Sequence, residues 1–181
     1  RHLLQINSAL TIHALPEYFS LDNALELVQL ADIVVDGSDN FQTRYLINDS
    51  CVMRGKPFVY GSIFQFSGQV SVFNYLLEDN TRSATYRCLF PEPPSPESMP
   101  SCDEAGVLGV LPGVVGTLQA TEVMKIILGL PGILCNKLIL LDLLGTLSNE
   151  IKLNPSLQSQ DIQSLEIPEI YCSTATTHLD L

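Results

Sequence analysis

Residues 31–44, ADIVVDGSDNFQTR, join a short apolar run to an acidic loop and then to the start of a helical pattern. Ile33, Val34 and Val35 are consecutive and β-branched, which is typical of a strand buried on both faces of a parallel sheet. Residues 36–40 place two carboxylates and several turn-forming residues directly after this run. Because ligands bind beyond the carboxyl ends of strands in open α/β sheets, the loop is the first candidate site.

Apolar residues recur at helical spacing on both sides of this loop. One helix is predicted over residues 21–30 with Ser20 as its cap, and a second runs from Phe41 until Gly55 ends the pattern. A second buried strand is predicted at residues 58–61. Strand, helix and strand in this order form a βαβ unit.

Other strands are predicted from β-branched or alternating segments. Residues 10–15 form a predicted strand that Pro16 ends, after the tail of a helix at residues 1–6. Alternation over residues 64–75, with Gly68 as a bend or bulge, indicates antiparallel strands beside the parallel sheet.

The carboxyl-terminal half contains three further predicted elements. Residues 105–130 are predicted to form a turn and a buried helix, whose glycines allow close backbone contacts. Residues 137–143 and 147–153 are predicted to form two strands. Residues 86–100 contain five prolines and predict a loop without regular helix. We predict one α/β domain over residues 1–153, followed by a polar tail at residues 154–181.

The composition supports a domain with one sizeable core, since 46% of the 181 residues are hydrophobic. The 20 acidic residues outnumber the 9 basic ones and give a net charge of −11. This charge repels phosphate backbones, so we expect no nucleic-acid binding. It also repels ionised ATP, and a nucleotide site would therefore need a bound metal or local hydrogen-bond donors.

Cysteine usage and hydropathy indicate a soluble protein. Five cysteines without a CxxC pair suit free thiols in a reducing compartment better than a disulfide scaffold. No apolar run reaches the roughly 20 residues that span a bilayer, and the closest, residues 105–118, contains four glycines and a proline. We expect a cytoplasmic protein without a membrane segment.

Four motifs follow one another along the chain: ADIVVDGSDNFQTRYLIN, GKPFVYGSIFQFSGQVSVF, YRCLFPEPP and SCDEAGVLGVLPGVVGTLQATEVMKIILG. Together they resemble the MoeB/ThiF family of ubiquitin-activating-like enzymes, which adenylate the carboxyl terminus of a sulfur-carrier protein. YRCLFPEPP is closest to the molybdopterin-synthase and tRNA-thiolation branch. The resemblance implies a partial Rossmann-like α/β fold with a mixed, mainly parallel sheet, ATP and Mg²⁺ as cofactors, a ubiquitin-like sulfur carrier as partner, and a dimer.

The resemblance gives the acidic loop a chemical role. Asp39 matches the position that holds the Mg²⁺ bridging the phosphates of ATP, an ion that prefers carboxylate, phosphate and water oxygens. Ser38, Asn40 and Arg44 would belong to the same nucleotide site, with Asp36 as a second acidic partner. From the residues alone, Ser38 or Asp39 could instead cap the helix, Arg44 could lie on a solvated face and Asp36 could only form the turn.

Cys102 corresponds, by the same resemblance, to a cysteine that takes part in acyl or sulfur transfer in some family members. A nucleophilic thiolate needs positive surroundings, which the amino end of the following helix supplies and Asp103 and Glu104 oppose. The alternative is a structural thiol. Cys51 and Cys135 are predicted to pack in apolar surroundings.

Many family members hold a structural zinc with two CxxC pairs, and this chain departs from that pattern. Thr85 stands three residues before Cys88, and the stretch SLQSQDIQSL after Pro155 has no cysteine. Cys172 and His178 would leave a rebuilt site one ligand short of the four that a tetrahedral zinc needs. We predict no zinc.

No glycine-rich phosphate loop of the GxGxxG or Walker type occurs in the 181 residues. Residues 1–153 therefore resemble the carboxyl-terminal part of a ThiF-type adenylation domain, without its amino-terminal phosphate-loop strands. We expect this chain alone to bind ATP poorly, and a homodimer or partner chain to supply the missing half.

Three hypotheses follow from the sequence. The first is an adenylyltransferase that activates the terminal glycine of a sulfur carrier. The second is a non-catalytic relative that binds a ubiquitin-like partner, which the missing zinc ligands favour. The third, a dinucleotide-binding oxidoreductase, is disfavoured by the absence of GxGxxG.

Overall fold

The computed structural model describes residues 2–93, 106–145 and 147–166. Within these ranges the chain forms six helices and five strands. In chain order they are α1 (His2–Ile6), α2 (Ala24–Leu30), β1 (Val34–Val35), α3 (Phe41–Arg54), β2 (Phe58–Phe64), β3 (Ser67–Phe73), α4 (Tyr86–Leu89), α5 (Leu111–Leu128), β4 (Lys137–Asp142), β5 (Leu147–Lys152) and α6 (Leu157–Gln160).

The strands form one mixed sheet in the order β1-β2-β3-β4-β5. β1 pairs parallel to β2 across α3, which confirms the predicted βαβ unit. The other three neighbouring pairs are antiparallel, so the prediction of a mainly parallel sheet is wrong. The reason lies in the connections, because the short links between β2 and β3 and between β4 and β5 permit only antiparallel pairing.

The amino-terminal edge of the sheet is shorter than predicted. The predicted strand at residues 10–15 has no regular structure, and Leu10, Ile12 and Leu15 are exposed. β1 has two residues, and Val35 is 50% exposed, so burial on both faces is also wrong. A strand forms only where a neighbour completes its hydrogen bonds, and none of the described strands lies beyond β1.

Local helix signals are more informative. α3 begins after Asn40, whose side chain accepts a hydrogen bond from Thr43 N, and ends at Gly55 in the left-handed conformation. α2 begins later than predicted. Its cap position is Asn23, whose side chain accepts from the backbone of Ser20, so Ser20 is not the cap.

Two layers of helices cover the sheet. One face carries an aromatic core in which Tyr45 of α3 and Tyr86 of α4 pack with Phe58, Tyr60 and Phe73 of the strands. On the other face α5 packs its buried side chains against β2 and β3. The sheet is thus held between α3 and α5, and the loop after β1 lies between the amino ends of these helices.

Gly68 is neither a bend nor a bulge, because it pairs regularly with Ile63 and Leu141. A Cβ atom at this position would lie 2.7 Å from a methyl carbon of Val115 and 3.3 Å from Leu111. Gly68 is therefore a position at which α5 approaches the sheet closely enough to exclude a side chain.

α5 differs from the predicted buried helix. It buries Leu111, Val115, Gln119 and Glu122, but the opposite face, including Val110, Val114, Met124, Ile127 and Leu128, is exposed. A Cβ atom at Gly113 or Gly116 would meet nothing within 4 Å, so these glycines make no close backbone contact. The helix is long and apolar enough to cross a membrane by length and composition alone, which for one helix is weak evidence.

The segment that contains the prolines begins with a helical turn. Tyr86–Leu89 is helical, so the prediction of no regular helix over residues 86–100 is wrong for its first four residues. Thr85 caps this turn, and Arg87 pairs with Asp49 of α3. Residues 94–100 lie outside the described ranges.

The first part of the predicted polar tail packs onto α4. α6 follows Ser156, and Ser159 hydrogen-bonds with Cys88 across 2.9 Å. Gln160 donates to the backbone carbonyls of Arg82 and Ser83.

Candidate active site

A cavity of about 320 Å³ lies at the carboxyl end of β1. It is bordered by the loop of residues 36–39, by Arg44, by residues 61–63 of β2, and by Pro112 and Gln119 of α5. Both α3 and α5 begin at this cavity. The partial positive charge of two helix amino ends favours an anionic ligand and offsets locally the negative charge of the chain.

Asp36 is the buried acid of the loop, with 1% of its surface exposed. Its Oδ1 accepts hydrogen bonds from the backbone nitrogen of Ser38 at 2.8 Å and from the Ser38 hydroxyl at 2.6 Å. Oδ2 lies 3.3 Å from Nε of Arg44. Burial raises the pKa of Asp36, while Ser38 and Arg44 act in the opposite direction. The carboxylate therefore fastens the loop from inside.

Arg44 does not lie on a solvated helix face, and that alternative is wrong. The residue is 6% exposed, and its guanidinium also donates to the carbonyl oxygen of Ser38 at 2.9 Å. The group lies over the rings of Phe41 and Tyr60, with its carbon 5.9 and 5.7 Å from their centroids. Arg44 borders the cavity, and its binding to a nucleotide stays a prediction. Its contacts with Asp36 and Ser38 position the loop.

Asp39 and Asn40 have separate positions. Asp39 is exposed and borders the cavity. Asn40 caps α3, so the alternative in which Ser38 or Asp39 forms the cap is wrong. With the cap filled by Asn40 and the buried acid position filled by Asp36, the Asp39 carboxylate is available to a ligand.

The structure brings in Gln119, which sequence reasoning did not assign to the site. Its side-chain nitrogen donates to the backbone carbonyls of Asp36 at 2.7 Å and of Val59 at 3.3 Å. Glu122, one turn later, accepts from Leu134 N and pairs with Lys125. Gln119, Glu122 and Lys125 follow one another at intervals of three residues in an otherwise apolar helix. This spacing places polar side chains on one face of the helix and was the sequence signal that they contact other parts of the fold.

The donor set is compatible with Mg²⁺ held mainly by phosphates and water. Among the described residues, no three His, Cys, Asp or Glu side chains form a cluster that could hold a metal ion alone. Mg²⁺ keeps several waters and commonly uses one or two carboxylates together with phosphate oxygens. Asp39 can supply one carboxylate, whereas that of Asp36 is engaged by Ser38 and Arg44.

The described cysteines have three different environments. Cys51 is fully buried, as predicted, and burial raises its pKa to about 12. Cys135 is half-buried, and burial raises its pKa as well. Burial also acts to raise the pKa of Cys88, but its hydrogen bonds with Ser159 and Thr85 outweigh burial and lower that pKa. Cys102 lies outside the described residues, as do the alternative zinc ligands Cys172 and His178.

A larger hollow of about 580 Å³ opens between residues 75–79 and 129–133. None of the residues from 36 to 44 borders it. The smaller cavity, which contains the buried ion pair and the loop of motif residues, is therefore the candidate active site.

Comparison with known proteins decides the family. The sequence profile of the ThiF family matches residues 1–162. The chain belongs to the ThiF family. It is 49% identical over 144 residues to the sulfur carrier protein adenylyltransferase of Thermus thermophilus, a match covering 80% of this chain and 53% of that protein. It is 45% identical over 154 residues to adenylyltransferase and sulfurtransferase MOCS3 of Anopheles gambiae, covering 85% of this chain and 34% of that protein.

A third relative, the probable molybdopterin-synthase adenylyltransferase of Pyropia yezoensis, is 42% identical over 154 residues and is covered to 39% of its length. The chain thus spans between about a third and about half of these curated relatives. Its fold is also found in the crystal structure of MccB from E. coli, with a TM-score of 0.67, 16% identity, and coverage of 91% of this chain and 49% of MccB. The predicted α/β Rossmann-like class and the predicted family are confirmed.

Proposed function

We propose that this chain provides the Mg²⁺-holding part of a cytoplasmic adenylation site that activates the terminal glycine of a ubiquitin-like sulfur carrier with ATP. The observation that carries the proposal is the fastened loop of residues 36–39. Asp36, Ser38 and Arg44 hold it from inside, and Asp39 faces a cavity at the amino ends of two helices. Relatives at 42–49% identity are named as adenylyltransferases of this kind.

In such a reaction a carboxylate oxygen of the carrier attacks the α-phosphorus of ATP, and pyrophosphate leaves. When bound, Mg²⁺ would neutralise charge on the phosphates. Asp39 would hold it, and the amino ends of α3 and α5 would stabilise negative charge at the transferred adenylyl group. Arg44 keeps the loop in place and is close enough to the cavity to contact a ligand.

We further propose that a second chain, either another copy or a partner, covers apolar surface that this chain exposes. Two surfaces support this proposal. The outward face of α5 exposes Val110, Met124 and Ile127, and β1 is an edge strand of the described sheet. Exposed apolar surface of this kind and an unpaired strand edge are suited to association. Acyl or sulfur transfer through Cys102 stays a prediction.

ATP–pyrophosphate exchange tests the function, with a β-grasp carrier ending in Gly-Gly as substrate. The assay should be run on this chain alone and on a longer chain that contains a glycine-rich phosphate loop. We expect exchange only with the longer chain, and there Asp39→Asn should lower the rate at least about 100-fold, because the metal loses its carboxylate. Asp32→Asn, which changes an exposed acid just before β1, is the matched control.

The outcomes separate the hypotheses. Exchange by the 181-residue chain alone at an enzyme-like rate would refute the need for a second half. Exchange that Asp39→Asn leaves unchanged would refute the role of Asp39. Carrier capture that Asp39→Asn does not affect, without exchange in either chain, would favour the non-catalytic binding module.

A further inference from the structure

Gln119 connects α5 to the last hydrogen bonds between β1 and β2. The backbone nitrogen of Asp36 donates to Val59 O at 3.0 Å, directly after the end of β1. The backbone carbonyl of Asp36 is not paired with β2 but accepts a hydrogen bond from the side-chain nitrogen of Gln119 at 2.7 Å. The same nitrogen lies 3.3 Å from Val59 O. Gln119 thus continues the pairing of the two strands where the ladder stops.

Gly61 leaves the space that Gln119 occupies. A Cβ atom at Gly61 would lie 2.6 Å from both Nε2 and Oε1 of Gln119, well inside van der Waals contact. The φ of Gly61 is not positive, so the backbone does not itself require glycine there. The side-chain amide of Gln119 occupies this space, which explains why the residue at position 61 has no side chain.

The carbonyl that Gln119 binds belongs to the residue that fastens the acidic loop. The peptide of Asp36 is held by Gln119, and the carboxylate of Asp36 holds the backbone and hydroxyl of Ser38. Arg44 holds the carbonyl of Ser38 from the other side. Asp39 follows directly, so its position depends on this sequence of contacts.

We infer that Gln119 is a positioning residue, which sets the direction of the loop of residues 36–39 and, with it, of the Asp39 carboxylate. The consequence for Mg²⁺ rests on the proposed function. The effect on the loop does not, because it follows from the two hydrogen bonds and from the burial of Gln119, which is 8% exposed.

Amide hydrogen exchange of Ser38, measured by NMR on the 181-residue chain, tests the inference. The Ser38 amide reports the loop directly because it donates to Asp36. In Gln119→Met, which keeps the length of the side chain without its donors, we expect protection of Ser38 to fall about tenfold. Val70 and Ile139, paired in the centre of the sheet, should keep their protection and show that the chain is folded. Thr121→Val, on the exposed face of α5, is the matched control.

A second variant separates hydrogen bonding from packing. Gln119→Glu keeps the volume, but its carboxylate cannot donate, and two facing carbonyls disfavour the charged form. We expect protection of Ser38 to be low near about pH 8 and to recover near about pH 5, where the acid can donate again. A side chain that acts only through its volume would show no such recovery.

The result that overturns the inference is unchanged Ser38 protection in Gln119→Met, or protection in Gln119→Glu that does not depend on pH. Paramagnetic broadening by Mn²⁺, added with ATP as a stand-in for Mg²⁺, is measured separately at Asp39. Without broadening at Asp39 in the longer chain that contains a glycine-rich phosphate loop the Mg²⁺ proposal fails, while the hydrogen-exchange experiment on the 181-residue chain still decides the role of Gln119.

Discussion

Nε of Arg44 lies 3.3 Å from Oδ2 of Asp36, and the two side chains are 8% and 0% exposed. This buried ion pair connects α3 to the end of β1. It gives the acidic loop an internal support that does not use Asp39. The pair also explains how one loop can contain two carboxylates with different roles, since one is neutralised inside and the other faces the cavity.

Removal of the guanidinium should leave the Asp36 carboxylate buried without its partner. We expect Arg44→Met to lower the free energy of unfolding by about 3–5 kcal/mol, the usual cost of breaking a buried pair on one side. Urea denaturation measures the change. Arg54→Met, in the last turn of the same helix, removes an exposed arginine that donates to Leu25 O and should cost at most about 1 kcal/mol. Equal effects of the two substitutions would contradict the role given to Arg44.

A second ion pair fixes α4 to α3. Arg87 donates to both carboxylate oxygens of Asp49, at 2.8 and 2.7 Å, and its guanidinium carbon lies 4.8 Å from the ring centroid of Tyr45. Asp49→Asn should cost about 2–3 kcal/mol, because Asp49 is buried and charge-assisted bonds are lost. The measurement is again urea denaturation. Glu150→Gln breaks an exposed pair with Lys137 and should cost at most about 1 kcal/mol.

The close approach of α5 to the sheet predicts opposite effects at two glycines. Gly68→Ala should destabilise the chain by about 1–3 kcal/mol, since its Cβ atom would overlap Val115. Gly116→Ala should stabilise it by about 0.5–1 kcal/mol, because the helix gains a better helix former in open space. Thermal unfolding of both variants measures the changes. If Val115→Ala fails to relieve Gly68→Ala in the double variant, overlap is not the cause.

The cysteines should differ in their reaction with iodoacetamide. The hydrogen bonds to Cys88 lower its pKa below the ordinary 9.0, so at a given pH a larger fraction of this half-buried thiol is thiolate than in an unperturbed cysteine. Cys51, with a pKa of about 12, should stay unmodified in the folded chain. Ser159→Ala removes a donor to the thiolate, and should therefore raise the pKa of Cys88 and slow its alkylation.

Peptide mass spectrometry over a pH series measures the rates. Ser148→Ala, on β5, is the control, and we expect it to leave the rate at Cys88 unchanged. If Ser159→Ala leaves the alkylation rate of Cys88 unchanged, the hydrogen bond of 2.9 Å between Ser159 and Cys88 does not set the pKa of Cys88.

The sign of the pH effect at Cys51 also follows from burial. The unfolded thiol ionises near 9.0 and the folded one near 12, so the unfolded state releases its proton first. The contribution of Cys51 to stability is therefore complete below pH 9 and is lost as the pH rises towards 12. Cys51→Ala should show a smaller loss of stability over this range in urea denaturation.

The sequence by itself determined the elements whose signals are local. The predicted helix that runs from Phe41 until Gly55 matches α3, because helical spacing and a glycine in the left-handed conformation concern only neighbouring residues. The capping residue was not identified, since Asn40 and not Ser38 or Asp39 forms the cap. Order and spacing of the four motifs also sufficed for the family, which the profile match over residues 1–162 confirmed.

Tertiary structure alone decided what depends on residues distant in the chain. A strand at residues 10–15 would have needed a neighbour to complete its hydrogen bonds, and no local pattern reports whether one is present. Gly61, which leaves space for Gln119, lies 58 residues before it, and the acceptors Val59 and Asp36 lie 60 and 83 residues before it. The packing of α5 on β2 brings these residues together. Asp36 became the internal support and Asp39 the exposed carboxylate because folding buried one acid beside Arg44 and left the other at the cavity.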